Sequence, residues 1–152
     1  MEEGPIRTLE PPEFDKKSPV AEYDWGIVNL KGEETSFSSF KNDVIFLNLW
    51  ATWCPPCVFE MTTTQRLFEQ VGNDIRIVCV SQEDPGMVKK FADAKKYGFP
   101  IYTLEGELPQ AYKSDGIPAS FITNRKGEIV FSEVGSANRG HETVLDYLKS
   151  LL

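Results

Sequence analysis

The feature that most constrains this chain is an apolar run at residues 44–51 that is followed closely by two cysteines. A single asparagine interrupts the run, so both faces of an extended strand would be apolar, which is typical of a buried strand covered by helices on both sides. The next segment, Cys54-Pro55-Pro56-Cys57, favours a helix start, because first-turn amides have no partner within the helix and proline is tolerated there. Cys54 is therefore predicted at a helix N-terminus, where N–H groups and the dipole stabilise a thiolate, with Cys57 within bridging distance.

Length and charge narrow the class of function. The chain has 152 residues, of which 41% are hydrophobic, and this is enough for one domain whose core needs no disulfides to fold. Its net charge of -7, with no cluster of Lys and Arg, argues against nucleic acid or an anionic membrane surface as a partner. No apolar run approaches the roughly 20 residues that a membrane-spanning helix needs.

The beginning of the chain is predicted to lie outside the folded domain. Residues 1–20 contain four prolines and few apolar side chains, so we interpret them as a flexible leader or as the remnant of a tether. The start lacks the basic and apolar segments of a signal peptide, which leaves two alternatives, a cytoplasmic protein or a removed targeting segment. The domain is predicted to begin near Ala21.

Hydrophobic periodicity and turn residues predict alternating strands and helices followed by a hairpin. Strands are expected at 27–30, 35–37, 44–51, 75–81, 101–104, 119–123 and 128–134, and helices at 54–72, 87–97 and 140–151, with shorter helical pieces at 38–42 and 108–113. Long crossovers favour parallel pairing of the central strands with right-handed connections, whereas the short turns favour antiparallel hairpins. The inward face of the first helix is expected to carry Val58, Met61, Gln65 and Phe68.

Two cysteines at this spacing indicate either a metal site or a redox pair. Structural zinc needs four ligands, and beyond the pair the chain offers only Cys79 and His141, so zinc is disfavoured. Cys79 lies within an apolar run and is expected to be a plain core thiol. A dithiol at a strand-to-helix junction of an α/β chain instead predicts thioredoxin-like redox chemistry. In that chemistry Cys54 attacks a substrate disulfide and Cys57 resolves the mixed disulfide.

The sequence also resembles a known family. The segment Phe46-Leu47-Asn48-Leu49-Trp50-Ala51-Thr52-Trp53-Cys54-Pro55-Pro56-Cys57, the later Gly116-Ile117-Pro118 and the Lys-Gly-Glu turn of the first hairpin resemble the TlpA/ResA-like thiol-disulfide oxidoreductases. The resemblance implies an α/β, thioredoxin-like fold over residues 21–152, with a central mixed β-sheet flanked by helices and an N-terminal β-hairpin extension.

The resemblance further implies a setting for the reaction. Family members are usually exported, membrane-tethered domains that reduce protein disulfides, often in cytochrome c maturation. For this chain it implies protein thiol or disulfide substrates, an upstream thiol reductant, an extracytoplasmic location, and membrane contact only through a tether. It implies no metal and no cofactor beyond the redox-active disulfide of Cys54 and Cys57.

Further residues acquire candidate roles. Pro118 matches the family's cis-proline, and the backbone of Ile117 would then face an extended substrate; without the cysteines, Pro118 would be interpreted as an ordinary turn. Glu60 lies one turn after Cys57 and matches the acid that ResA-like members carry, so it is expected to move a proton during resolution rather than to be only a solvated glutamate. Asn48 stands where thioredoxins proper carry a buried aspartate, which shifts the proton-transfer role toward Glu60.

Substrate contacts are expected from residues beside the cysteines. Trp53 is expected to shield Cys54 and to contact substrate, together with Pro55 and Pro56. Two other functions remain open. A peroxiredoxin-like peroxidase needs Thr or Ser three residues before its cysteine, whereas Thr52 is two before Cys54. A copper-binding or chaperone domain would add His or Met ligands to the cysteines.

Overall fold

A computed structural model describes residues 19–135 and 141–152, which form seven strands, three α-helices and two 3₁₀ turns. The strands are β1 Gly26–Asn29, β2 Glu34–Ser36, β3 Val44–Trp50, β4 Ile75–Ser81, β5 Ile101–Glu105, β6 Ala119–Thr123 and β7 Ile129–Val134. The helices are α1 Pro55–Val71, α2 Pro85–Lys95 and α3 His141–Ser150, and the 3₁₀ turns are Phe37–Phe40 and Gln110–Tyr112. Every predicted strand and α-helix is present, with small shifts at its ends.

The strands form one mixed sheet in the order β2-β1-β5-β4-β3-β6-β7. β3, β4 and β5 are parallel, whereas β6 and β7 add antiparallel on one side. On the other side the hairpin β1–β2 extends the sheet by pairing β1 antiparallel to β5. This architecture confirms the predicted thioredoxin-like fold with an N-terminal hairpin extension, and it places β3 deep inside the sheet.

Alternate residues of β3 belong to different cores. Val44, Phe46 and Trp50 join a cluster that also contains residues of all three described α-helices. Ile45, Leu47 and Leu49 join a second cluster, in which no residue of those helices takes part. This follows from the strand period of two, which sends successive side chains to opposite faces.

The prediction that helices cover both faces of β3 is therefore wrong for the second face. Aromatic side chains from loops and 3₁₀ turns cover it instead. Trp25 stacks on Phe37 with ring centroids 4.5 Å apart, and Tyr112 meets Phe121 edge-on at 5.2 Å. Each large aromatic side chain buries about 150–250 Å² of surface, so a few of them on short turns suffice to close this face.

Helix α1 begins and ends where its sequence predicts, but its most buried residues differ in part from the predicted inward face. It starts with two prolines and stops at Gly72, whose φ of 74° is a backbone conformation that favours glycine. The buried residues are Cys57, Met61, Thr64, Leu67 and Val71. Of the predicted inward residues, Met61 is fully buried and Phe68 is partly buried against the core, whereas Val58 and Gln65 are half-buried at the edge of this face.

Most of the predicted leader lies outside the described residues, so the proposed domain boundary stays a prediction. Pro19 and Val20, the first described residues, already pair with the β6–β7 hairpin: Val20 bridges Glu128, and the Ile129 amide donates to the Pro19 carbonyl at 2.8 Å. Within the described ranges, none of the helices has the length and apolar character that a membrane crossing requires.

Candidate active site

The cysteine pair lies where β3 leaves the sheet and α1 begins. Cys54 is the N-cap of α1, and Pro55 and Pro56 occupy its first helical positions. Because proline has no N–H, the first amide that the helix can offer is that of Cys57, and it donates to the Cys54 Sγ at 3.2 Å. The sequence thus directs the one available first-turn donor at the sulfur that is predicted to attack.

Cys54 and Cys57 are joined by a disulfide, with their Cα atoms 5.2 Å apart. Cys54 keeps 4% of its surface exposed, whereas Cys57 is fully buried at 0%. Of the two sulfurs, that of Cys54 is therefore the one that a reacting partner can reach. This asymmetry agrees with the predicted division of labour, which stays a prediction.

The segment Ile117–Pro118 lies directly against the disulfide. Its peptide bond is cis, as predicted, and the Ile117 carbonyl oxygen is 3.9 Å from the Cys54 Sγ. Pro118 is buried, and its carbonyl accepts a hydrogen bond from the Gly135 amide at 2.7 Å. The hydrogen bond from Gly135 thus holds the backbone of Pro118 in place beside the disulfide.

A groove of about 550 Å³ runs alongside this segment. Its lining includes Trp53, Gln82, Leu108 and Ile117. Trp53 is 71% exposed, so an indole stands open to solvent immediately before Cys54. Pro55 and Pro56 are exposed at the helix start but do not line the groove.

A buried polar group lies behind the disulfide, along α1 and β3. The Asn48 amide Nδ2 donates to the Ser120 Oγ at 3.2 Å and makes a longer contact of 3.5 Å with the Glu60 Oε1. Thr64 donates its hydroxyl to the Glu60 carbonyl at 3.2 Å. Glu60, Thr64 and Ser120 also line a cavity of about 30 Å³, which is large enough for one water.

Two further observations characterise this interior. The Asn48 Oδ1 is buried without a hydrogen-bond partner among the described residues. Cys79 is the β4 neighbour of Asn48 and is fully buried, which confirms it as a core thiol. Burial, and secondarily the charge of Glu60, raise the pKa of the Cys79 thiol far above its usual range. Glu60 thus lies 3.5 Å from the side-chain amide of Asn48, the strand neighbour of Cys79.

Sequence reasoning missed Glu83. Its carboxylate accepts hydrogen bonds from the Thr52 amide at 2.8 Å, the Thr52 hydroxyl at 2.7 Å and the Ser81 hydroxyl at 2.7 Å. Thr52 and Glu83 follow adjacent parallel strands, and the carboxyl ends of such strands form the usual site of an open α/β sheet. That rule is the one signal that points to this pair in the sequence.

No cluster of three or more His, Cys, Asp or Glu in the described ranges could hold a metal ion.

Comparison with known proteins gives consistent matches. The redoxin family profile matches residues 12–151. The sporulation thiol-disulfide oxidoreductase A of Bacillus subtilis is 32% identical over 127 residues, which cover 80% of this chain and 76% of that protein. The thiol-disulfide oxidoreductase ResA of Geobacillus kaustophilus is 31% identical over 109 residues, covering 70% of this chain and 63% of that protein.

Solved structures agree with these relatives. The crystal structure of StoA from Bacillus subtilis superposes with a TM-score of 0.69 at 28% identity and covers 85% of this chain and 98% of that one. A thiol:disulfide interchange protein from Chlorobium tepidum gives a TM-score of 0.76 at 23% identity, over 90% and 98% of the two chains, and supports the fold. With the disulfide at the start of α1 and the cis-proline beside it, the chain belongs to the redoxin family and is a thiol-disulfide oxidoreductase of the ResA/StoA type.

Proposed function

We propose that this protein reduces disulfides of protein substrates, with Cys54 as the nucleophile and Cys57 as the resolving thiol. The observation that carries the proposal is the Cys57 amide directed at the more exposed Cys54 Sγ at 3.2 Å. A positive helix end and one aligned N–H donor both lower the energy of a thiolate relative to a thiol. The same donor would stabilise the Cys54 thiolate when the upstream reductant regenerates it from the oxidised pair.

The reaction has two exchange steps. The Cys54 thiolate attacks the substrate disulfide, forming a mixed disulfide and releasing the first substrate thiolate, which takes up a proton. Cys57 loses its proton and attacks the Cys54 Sγ, so the second substrate thiol leaves and the Cys54–Cys57 disulfide forms. The substrate gains two electrons and two protons, and an upstream thiol reductant returns them to the enzyme. No cofactor beyond the cysteine pair is required.

Glu60 is the residue that we propose to accept the proton of Cys57. It lies one helical turn after Cys57, and its carboxylate is near the buried amide of Asn48. Asn48 and Ser120 would hold that carboxylate toward the interior through their own hydrogen bond. The side-chain amide of Asn48 does not ionise, so the proton of Cys57 would need another acceptor, such as a carboxylate.

The groove beside the disulfide is the proposed substrate platform. An extended substrate segment would hydrogen-bond to the backbone of Ile117, next to the buried Pro118, while its side chains contact Trp53. Pro55 and Pro56 would shape the exposed rim beside Cys54. From the family resemblance we further propose an extracytoplasmic, tethered protein that acts in cytochrome c maturation.

The decisive test is substrate reduction by cysteine variants. Cys54→Ala should abolish the reduction of insulin disulfides, whereas Cys57→Ala should accumulate a mixed disulfide with the substrate that mass spectrometry detects. Cys79→Ala is the matched control and should turn over like the wild type, because Cys79 is buried away from solvent. Wild-type activity in Cys54→Ala would refute the proposal, and stoichiometric copper binding by the reduced protein would favour a metal-carrying function.

A further inference from the structure

A single carboxylate ties together the two loops that leave the sheet at the active site. β3 and β4 are paired in register up to Trp50 and Ser81, and the backbone pairing stops there. Thr52 and Glu83 each lie two residues further on. The Glu83 Oε1 accepts from the Thr52 amide, and its Oε2 accepts from the Thr52 hydroxyl, at 2.8 and 2.7 Å. Side-chain bonds therefore continue the connection between the strands beyond the sheet.

Glu83 is also held by Ser81, a residue of its own segment. The Ser81 hydroxyl donates to the Glu83 Oε1 at 2.7 Å, and the Glu83 amide donates back to the Ser81 Oγ at 3.1 Å. Hydrogen bonds to an ionised acceptor are roughly twice as strong as neutral ones. The carboxylate is thus held in one orientation before it binds Thr52, so it can act as a rigid anchor for the neighbouring loop.

The anchored loop carries the attacking cysteine. The Cys54 amide donates to the Ala51 carbonyl at 3.3 Å, so residues 51–54 form a tight turn with Thr52 inside it. The neighbours of the two bonded residues, Trp53 and Gln82, both line the groove beside the disulfide. Binding of Thr52 by Glu83 therefore fixes two of the segments that line the groove, at Trp53 and at Gln82, relative to each other.

We propose that Glu83 is a positioning residue of the exchange reaction. It holds the 51–54 turn against the 81–83 segment, and so sets the positions of Trp53 and Gln82, which line the groove that a polypeptide substrate would fill. The inference rests on the proposed use of that groove by polypeptide substrates. A small disulfide, which does not fill the groove, should depend on Glu83 less than a protein disulfide does.

The test measures the first exchange step alone. In a Cys57→Ala background, the rate of mixed-disulfide formation at Cys54 is followed at increasing concentrations of insulin and, separately, of the small disulfide DTNB. This step is common to both directions of electron flow. If wild-type protein fails to turn insulin over while the single step still depends on Glu83, the proposed reductase function fails and the positioning role stands.

Adding Glu83→Ala should lower the rate constant at low insulin concentration by about tenfold, mainly by raising the half-saturating concentration. The rate with DTNB should fall by no more than about twofold, because this small disulfide does not need the groove to be positioned at Cys54. Glu83→Gln keeps an oxygen that can accept from the Thr52 amide and should recover part of the loss. It also serves if the alanine variant folds poorly.

Matched variants separate positioning from general stability. Thr52→Ser keeps both donors and should behave like the parent, whereas Thr52→Val removes the hydroxyl and should reproduce part of the defect. Asp74→Asn removes a charge at the opposite end of β4 and should change neither rate. Equal losses with insulin and DTNB, or a loss of thermal stability with both rates unchanged, would overturn the proposal.

Discussion

One face of the central sheet carries all three described α-helices and the disulfide, whereas the other face is closed by 3₁₀ turns and a cluster of aromatic side chains. The helical face also contains polar groups in its interior. Asn48, Thr64 and Ser120 are buried there, and a cavity of about 30 Å³ is lined in part by Thr64 and Ser120. The aromatic face instead packs Phe37 within 6.0 Å, between ring centroids, of four other rings: Tyr23, Trp25, Phe40 and Tyr112.

The difference shows where stability and chemistry are located. Buried polar groups lower stability unless their hydrogen bonds are all satisfied. Proton transfer in a protein interior nevertheless needs polar groups there. The aromatic cluster contains neither cysteine of the disulfide, although Ile117, whose carbonyl is 3.9 Å from the Cys54 Sγ, packs against both clusters. Substitutions on the aromatic face should therefore change folding stability, and those on the helical face should change rates or pH dependence.

The largest expected effect is on stability, from Phe37→Ala. Phe37 is fully buried at the centre of the aromatic cluster, so its truncation should lower the free energy of unfolding by about 3–5 kcal/mol. Urea denaturation of the oxidised protein measures this. Phe37→Leu keeps much of the volume and should cost less, and its exchange rate with DTNB should match that of the wild type.

Phe59→Ala is the control for this comparison. Phe59 is 76% exposed, so its removal should alter the free energy of unfolding by no more than about 0.5 kcal/mol. If Phe37→Leu slowed exchange as strongly as it destabilised the fold, the two faces would be coupled, and the proposed separation would be wrong.

The next effect is on rate, from Glu60→Gln on the helical face. If Glu60 accepts the Cys57 proton, the resolving step should slow on the order of 100-fold, and its pH profile should flatten because glutamine cannot titrate. Stopped-flow release of the second thiol from a preformed mixed disulfide measures the step. Glu69→Gln, on an exposed part of the same helix, should leave it unchanged. A wild-type pH profile in Glu60→Gln would reduce Glu60 to an ordinary helix residue.

The sequence predicts the elements well because their patterns are strong. β4 has the predicted bounds, Ile75–Ser81, and α1 begins at the paired prolines. The sequence does not predict which elements cover each face of the sheet. Apolar residues on both faces of β3 show only that both are buried, and the partner can be a helix or a set of rings distant in sequence. The most buried face of α1 includes Cys57, whose burial no periodicity reveals.

The candidate site was predictable to the extent that it is local. The spacing of Cys54 and Cys57 at a strand end indicates redox chemistry by itself. The approach of Ile117 to Cys54 joins residues far apart in the chain, so only the family resemblance suggested it. The bonds between Thr52 and Glu83 depend on the register of β3 against β4, which a single sequence does not specify.

The smallest effect concerns Cys79, a thiol of the helical face, and it is a dependence on pH. Burial and the nearby charge of Glu60 raise the pKa of this thiol in the folded protein. The unfolded thiol should lose its proton near pH 8.5, about its ordinary pKa. Above that pH the unfolded state releases a proton that the folded state retains, so the free energy of unfolding should fall by about 1.4 kcal/mol per pH unit. Below that pH the contribution is fully present.

Cys79→Ala should remove this part of the slope, as measured by urea denaturation of the oxidised protein between pH 8.5 and 10, where Cys54 and Cys57 are disulfide-bonded and do not titrate. Tyr112 provides the matched control on the aromatic face. Burial raises the pKa of its hydroxyl above the ordinary value for tyrosine, so Tyr112→Phe should alter the slope only at higher pH. Equal slopes for the wild type and Cys79→Ala between pH 8.5 and 10 would mean that the Cys79 thiol ionises in the folded protein as it does in the unfolded chain. The helical face would then be more open to water than its packing indicates.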